Sequence, residues 1–297
     1  MALDKKVFAT RAKTALIYVA VMLTGLLWNE WSFFILFSFV HFGCWYEYQK
    51  LSVLIDPSFN NQTMAQQFYF PIYGWGWMLM AVSDQLVIGG FNISSAGEWI
   101  VSKGSFVLLL LFIFDKNFKW KQFARLMGGV AYLSISLALL INLRSGWIWS
   151  DGNSQSTFTI TLSTFSGKLI CLLLVFGIWI NDTMAYVVGS FIGKTPLSTW
   201  SPKKTWEGTL GGIILSAGLI SLVANLLWKA NYEVFVIALV CAIGGTIGDL
   251  VESRLKRLAN VKDSGSFMPG HGGFLDRFDS ILFAAPMVWL VCYFLYK

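Results

Sequence analysis

Nine stretches of mainly apolar residues constrain this chain more than any other feature, because each approaches the length a helix needs to cross a bilayer. A helix rises about 1.5 Å per residue, so about 20 apolar residues span the hydrocarbon core. The runs lie at about 12–28, 31–49, 70–90, 98–114, 123–143, 167–187, 209–228, 232–253 and 277–296. Glu98, Lys103 and Asp115 crowd the fourth run, so a re-entrant or interfacial helix is the alternative there. Composition points the same way. Charged residues make up 13% of the chain, against about 25% in a soluble domain that must hydrate its surface. With 56% hydrophobic residues, 14 Trp and 25 Phe, the chain cannot cover itself with polar groups. The expected fold class is therefore all-α: a polytopic integral membrane protein with about nine transmembrane helices.

Lys and Arg prefer the cytoplasmic side of a membrane helix, and their distribution orients the chain. With the N-terminus cytoplasmic and nine alternating spans, 17 of the 22 Lys and Arg fall inside. Only Lys103, Arg144, Lys168, Lys229 and Lys297 fall outside. The net charge of +6 thus belongs to the cytoplasmic face, where it favours anionic headgroups of membrane lipids and anionic solutes. Nucleic acid is a poor partner for it, since no soluble basic module presents the charge. The basic start (Lys5, Lys6, Arg11, Lys13) precedes an apolar run without a small-residue cleavage site, which reads as a retained first span. Cys44, Cys171, Cys241 and Cys292 are scattered through apolar segments and read as buried thiols. With only His41 and His271 beside them, a His/Cys zinc site lacks ligands.

Texture changes near residue 150. Residues 1–150 form an aromatic region of about five spans, and 151–297 form a second region that holds the polar motifs. The Ser-, Thr-, Gly- and Asn-rich segment Ser145–Ser166 is the expected outside loop between them. The absence of an internal repeat speaks against an inverted-repeat transporter.

Three polar stretches follow. The first runs Asn181-Asp182-Thr183-Met184-Ala185-Tyr186, then Gly189 and Gly193-Lys194. The second is Ser201-Pro202-Lys203-Lys204-Thr205-Trp206-Glu207-Gly208, with Gly211-Gly212 beyond it. The third opens at Gly248-Asp249, passes Glu252, Ser253, Lys256-Arg257 and Lys262-Asp263, and ends Pro269-Gly270-His271-Gly272-Gly273, Asp276-Arg277 and Asp279. Alternating topology puts all three at cytoplasmic span ends. Carboxylates in or beside a membrane helix are costly unless paired, hydrated or cation-bound. Asp276 and Asp279, three residues apart at the start of the ninth span, share a helix face. Several acids with few neutral ligands match a hard cation such as Mg²⁺, which keeps positions for water and phosphate. Clustered bases and glycines beside them suit phosphate, so together they suggest phosphoryl or nucleotidyl transfer.

Each piece also has a plain structural reading. Lys194 and Lys256 serve as topology anchors in that reading, and Gly211-Gly212 and Gly244-Gly245 as close helix packing. Glu207, on a loop, caps or balances Lys203. His271, between glycines, is a backbone-bonded residue or a phosphate contact. Asp249 and Asp276 are the hardest to explain without a ligand.

The stretch Ser253–Asp279 resembles the signature of the phosphatidate cytidylyltransferase (CDP-diacylglycerol synthase) family. Ser253, Lys256-Arg257, Lys262-Asp263, Pro269, His271-Gly272-Gly273, Asp276-Arg277 and Asp279 stand at the family's spacing. The stretch from Asp182 through Tyr186 to Ser201–Gly208 is similar to the same family. Met184 and Met268 stand where a small residue and a branched aliphatic or Phe are usual. The resemblance implies a homodimeric enzyme of the cytoplasmic (inner) membrane, with its active site facing the cytoplasm. It would condense CTP with phosphatidate to give CDP-diacylglycerol and pyrophosphate. It assigns Asp249 and Asp276 to Mg²⁺, with a second monovalent or divalent cation nearby. Ser201, Lys203, Lys204 and Arg277 join these acids as catalytic residues. Asp182, Thr205, Lys262, Asp263, His271, Gly272, Gly273 and Asp279 complete the substrate-binding set. The rivals are a CTP-dependent polyprenol or phytol kinase, a cytidylyltransferase of another lipid phosphate and, from a different class, a transporter or flippase.

Overall fold

The computed structural model describes residues 5–61, 64–114, 119–146, 167–229, 232–268 and 272–295. Ten α-helices follow one another: α1 Lys5–Leu27, α2 Glu30–Ile55, α3 Met64–Met80, α4 Ile93–Phe114, α5 Trp120–Gly129, α6 Ser136–Ser145, α7 Gly167–Ile192, α8 Trp206–Trp228, α9 Tyr232–Leu258 and α10 Leu275–Leu295. A π turn, Val130–Ile135, joins α5 and α6 into one rod of 26 residues. The only strands among the described residues are β1 Val87–Ile88 and β2 Phe91–Asn92, an antiparallel hairpin. Gly89 and Gly90 turn it with φ of 57° and 84°, a left-handed pair that favours glycine.

The nine apolar runs coincide with helices in whole or in part, and the protein is an all-α membrane protein. Among the described residues, five segments are long and apolar enough to cross a bilayer: Trp120–Ser145, Gly167–Ile192, Trp206–Leu227, Tyr232–Leu258 and Leu275–Leu295. The other expected spans are shorter or carry charge. The apolar part of α1 is Ala12–Leu27, α3 has 17 residues, and α2 contains Glu30, His41, Glu47 and Lys50. The third run, expected over 70–90, ends as helix at Met80, because Ser83-Asp84-Gln85 and Gly89-Gly90 turn the chain into the hairpin. α9 runs to Leu258 rather than 253, so Lys256 and Arg257 lie in a last helical turn, not in a loop. There Lys256 pairs with Glu252 one turn back, and both bases face the negative helix end.

The chain forms two compact units: Met1–Ser145 with Leu258–Arg277, and Gly146–Arg257 with Phe278–Lys297. The expected boundary at residue 150 and nearly all of the loop Ser145–Ser166 lie outside the described residues.

In the first unit α2 is the central element. Its N-terminus closes with a capping box, in which Asn29 Oδ1 accepts from Ser32 N–H at 2.8 Å and Ser32 Oγ from Asn29 N–H at 3.0 Å. Phe33, Phe37, Val40, Cys44, Trp45 and Leu51 are buried along it. His41 is core rather than site: its Nε2 bonds the hydroxyl of Ser134 at 2.9 Å, and the Trp45 indole N–H donates to the same oxygen at 3.0 Å. In the second unit α7 and α8 lie against each other through small residues. A Cβ on Gly212 would meet Ala185, and one on Gly211 would meet Val188. Likewise Gly244 faces Ala284 and Gly245 faces Ile178. These glycines are close helix packing. All four cysteines are buried and unbridged, as their apolar surroundings imply.

Candidate active site

Each unit carries part of the polar signature. In the second unit it begins where α7 ends. Glu207, expected on a loop, stands in the first turn of α8 and reaches back to the chain leaving α7. Its carboxylate accepts from Lys194 N–H at 3.1 Å and from Thr195 Oγ1 at 2.8 Å. The loop is closed a second time by a Pro196–Thr205 bridge and by Leu197 N–H donating to the Lys204 carbonyl at 2.8 Å. Thr205 caps α8, its hydroxyl accepting from Gly208 N–H at 3.1 Å. That cap is the contact the structure gives a residue expected at substrate.

Within this frame Ser201-Pro202-Lys203-Lys204 makes a turn, with Lys204 N–H donating to the Ser201 carbonyl at 3.1 Å. Pro202, at the second position, fixes the φ that such a turn needs. The two lysines therefore diverge. Lys203 is exposed at the tip, while Lys204 turns inward and sets its Nζ 2.8 Å from Asp249 Oδ2 on α9. Burial works against the Lys204 charge, but Asp249, and then Asp182 and Asp279, outweigh it and raise its pKa above the usual lysine value. Three of the sequence-predicted acids thus share one cation. Asp182, on α7, is exposed, and Asp279, on α10, is buried with Oδ1 accepting from Ser280 N–H at 2.6 Å. Gly248, next to Asp249, lets α9 approach the backbone of Asp279 and Ser280, where a Cβ would collide. Asp182 and Asp249 lie ten and nine residues before the ends of their helices, which run on past the apolar stretches expected at 167–187 and 232–253. Arg254 lies over the Trp200 ring at 4.9 Å, and Arg257 Nε donates to the Trp200 carbonyl at 3.4 Å.

The first unit holds the rest of the signature. Asp276, in the first turn of α10, accepts at Oδ2 from Gly273 N–H at 2.7 Å, Ser264 N–H at 2.9 Å and Ser264 Oγ at 3.0 Å. Gly272 has φ of +83°, and a Cβ there would strike the Asp276 carboxylate. Lys262 and Asp263 are exposed on this loop, and Arg277 is half-buried at the helix start. His271 lies outside the described residues.

Two polar residues at this loop, one in it and one on α2 beneath it, carry no motif signal in the sequence. Glu47, on α2, is only 3% exposed yet carries a carboxylate. Ser264 bonds both it and Asp276. Glu47 carries the signal that marks Asp182 and Asp249, an acid inside an apolar run, but no motif surrounds it.

The donor set suits a hard cation. Asp249 already holds an ammonium at 2.8 Å, with further carboxylate charge beside it. Among the described residues no three His, Cys, Asp or Glu side chains group closely enough to enclose an ion by themselves.

Comparison with known proteins identifies the family. The family model described as "Cytidylyltransferase family" matches residues 9–295. The chain is 33% identical over 198 residues to phosphatidate cytidylyltransferase 5, chloroplastic, of Arabidopsis thaliana, covering 64% of this chain and 50% of that protein. It is 35% identical over 208 residues to the phosphatidate cytidylyltransferase of Staphylococcus haemolyticus, covering 65% and 71%. Over 120 residues it is 48% identical to that of Bacillus subtilis, covering 38% and 44%. The matched part of the chain thus spans about half the length of the Arabidopsis relative.

Proposed function

The chain belongs to the cytidylyltransferase family, and on that premise we propose that it transfers CMP from CTP to phosphatidate in phospholipid biosynthesis. The products are CDP-diacylglycerol and pyrophosphate. The observation that carries this proposal is Lys204, clamped by its loop and held 2.8 Å from Asp249 among three acids. A rigid cation–carboxylate cluster beside an exposed lysine suits a triphosphate better than a transported solute.

The chemistry needs little proton transfer. The phosphatidate phosphate is ionised near pH 7, and one of its oxygens attacks the α-phosphorus of CTP. A P–O bond forms there, the bond from the α-phosphorus to the bridging oxygen breaks, and pyrophosphate leaves with the electron pair. The obstacle is the approach of two anions. Lys203, Lys204 and Arg277 lower that repulsion and orient the phosphates, and Ser201, Asp182, Lys262, Asp263, His271 and Asp279 complete the polar surroundings. Asp249 and Asp276 are the residues assigned to hold Mg²⁺, which when bound would supply neutralising charge to the triphosphate and the leaving group. The acyl chains remain in the bilayer.

Labelled CTP tests the reaction. Purified protein given CTP and phosphatidate is expected to carry α-phosphorus label into a lipid and leave γ label in pyrophosphate. Label from the γ position in lipid would assign a kinase, and no lipid label would remove the activity altogether.

The same proposal includes a nine-span chain with a cytoplasmic N-terminus, in the cytoplasmic membrane, with both polar loops facing the cytoplasm, and a homodimer as the working form. Single cysteines at Ser198 and Gln85, in a background lacking the native four, are expected to react with an impermeant maleimide from opposite sides of sealed vesicles. Reaction from one side would break the nine-span arrangement.

Lys203→Ala is expected to lower kcat/KM about tenfold, the loss of one exposed charge-assisted phosphate contact. Lys119→Ala and Lys121→Ala, in bases assigned to anchoring, change it less than about twofold. Equal small effects at all three would move phosphate binding to Lys262 and Arg277.

A further inference from the structure

A carboxylate inside an apolar helix is costly unless hydrogen bonds compensate it. Glu47 is compensated by a loop more than 200 residues away in sequence. Its Oε2 accepts from Ser264 Oγ at 2.7 Å and from Leu275 N–H at 2.9 Å, and its Oε1 accepts from Phe274 N–H at 2.9 Å. Leu275 opens α10, so these amides belong to the helix end that lacks intrahelical acceptors and attracts negative charge. Gly265 and Gly273 flank the carboxylate so closely that a Cβ on either would overlap it. One and two turns earlier on α2, Gly43 packs against Phe274, and Phe39 meets the rings of Phe267 and Phe274 at 6.0 and 5.5 Å. The face 39/43/47 is thus a bed shaped to the signature loop.

Three hydrogen bonds to the Asp276 carboxylate come from residues this bed holds. Ser264 Oγ lies 2.7 Å from Glu47 and 3.0 Å from Asp276, and Gly273 N–H reaches Asp276 at 2.7 Å while its Cα abuts Glu47. We infer that Glu47 is a positioning residue, which fixes the orientation of the Asp276 carboxylate through Ser264 and the backbone of residues 273–275. The inference rests on the proposed role of Asp276 in cytidylyl transfer, but its geometric half does not depend on that role.

Two measurements on the full chain test it. In the first, Glu47→Gln keeps the volume and removes the charge, while Ser264→Ala removes only the bridging hydroxyl. Expected are kcat losses of about thirtyfold and about tenfold, with KM for CTP and phosphatidate within about threefold. If both act along one path, the double variant is no more than about twofold worse than Glu47→Gln alone, and Glu47→Asp recovers part of the rate. Losses that multiply to about three-hundredfold, or that follow thermal stability instead of kcat, overturn the inference. The second measurement needs no turnover. Hydrogen exchange of the 264–276 backbone is expected to rise at least about tenfold in Glu47→Gln, and less in Ser264→Ala, with α7 and α8 unchanged. Unaltered exchange overturns the inference. Should the wild-type chain make no CDP-lipid, the proposed reaction falls and exchange still decides whether Glu47 holds the loop.

Discussion

Asp249→Asn is expected to lower kcat for the proposed CDP-diacylglycerol formation at least about a thousandfold while the protein remains folded, and Asp276→Asn to do the same. A thousandfold is about 4 kcal/mol of transition-state stabilisation, in the range for removing a group aimed at developing charge. Asparagine keeps the volume and a carbonyl oxygen but removes the negative charge, so helix packing beside Gly248 is retained. The two variants differ in what else they disturb. Asp249 faces one ammonium, and its loss frees Lys204. Asp276 also accepts three hydrogen bonds, and an amide oxygen still serves Gly273 and Ser264. EDTA is expected to silence the wild type and added Mg²⁺ to restore it, whereas extra Mg²⁺ rescues neither variant. Near-normal turnover of either at ordinary Mg²⁺ would remove that residue from the metal assignment.

Lys204→Ala is expected to cost at least about a hundredfold in kcat/KM, an order more than Lys203→Ala. Losing a charge-assisted contact is worth about 1.5–3 kcal/mol, and a half-buried cation shared by three acids lies at or beyond the upper end. The variant also leaves Asp182, Asp249 and Asp279 without their common counter-charge, so thermal stability falls too. The pH dependence follows in sign. The Lys204 pKa is raised in the fold, so the interaction is fully present below the ordinary lysine value of about 10.4 and is lost only as pH rises through the higher folded value. Activity between about pH 6 and 9 should therefore show no step from this residue. Kinetics of both lysine variants, measured beside their melting curves, check the ranking. Equal costs at Lys203 and Lys204 would mean that the Asp249 pair is structural.

The sequence carried the helices well, because a membrane helix is announced by apolar length alone. It misjudged where helices stop. α9 continues through Glu252–Leu258 because an i,i+4 ion pair sustains a polar turn that hydropathy ends at 253. α3 stops at Met80, although Leu86, Val87 and Ile88 are apolar, because a glycine pair folds them into a hairpin. In the site, spacing brought out the acids and bases but not their partners. Nothing in Lys203-Lys204 distinguishes the tip lysine from the clamped one, which depends on Pro202 and on a bridge to Thr205. Thr205 and Glu207 belong to the motif, yet their bonds are a helix cap and a loop tie. Glu47 had no motif because its partners lie beyond residue 260.

The bed that α2 makes for the 264–275 loop limits how this protein can be cut and recombined. The N-terminal helices resemble a replaceable anchor, since the three polar motifs lie after residue 180. Replacing them with any helices of matching hydrophobicity would leave Phe274 and Leu275 N–H groups facing a surface without a carboxylate, and would fill the hollow that Gly265 and Gly273 keep open. A working hybrid between two relatives must therefore take α2 and the 258–277 segment from the same parent. When the two halves are made as separate polypeptides, pairing should fail unless the helix supplied in trans brings its own acid to that hollow.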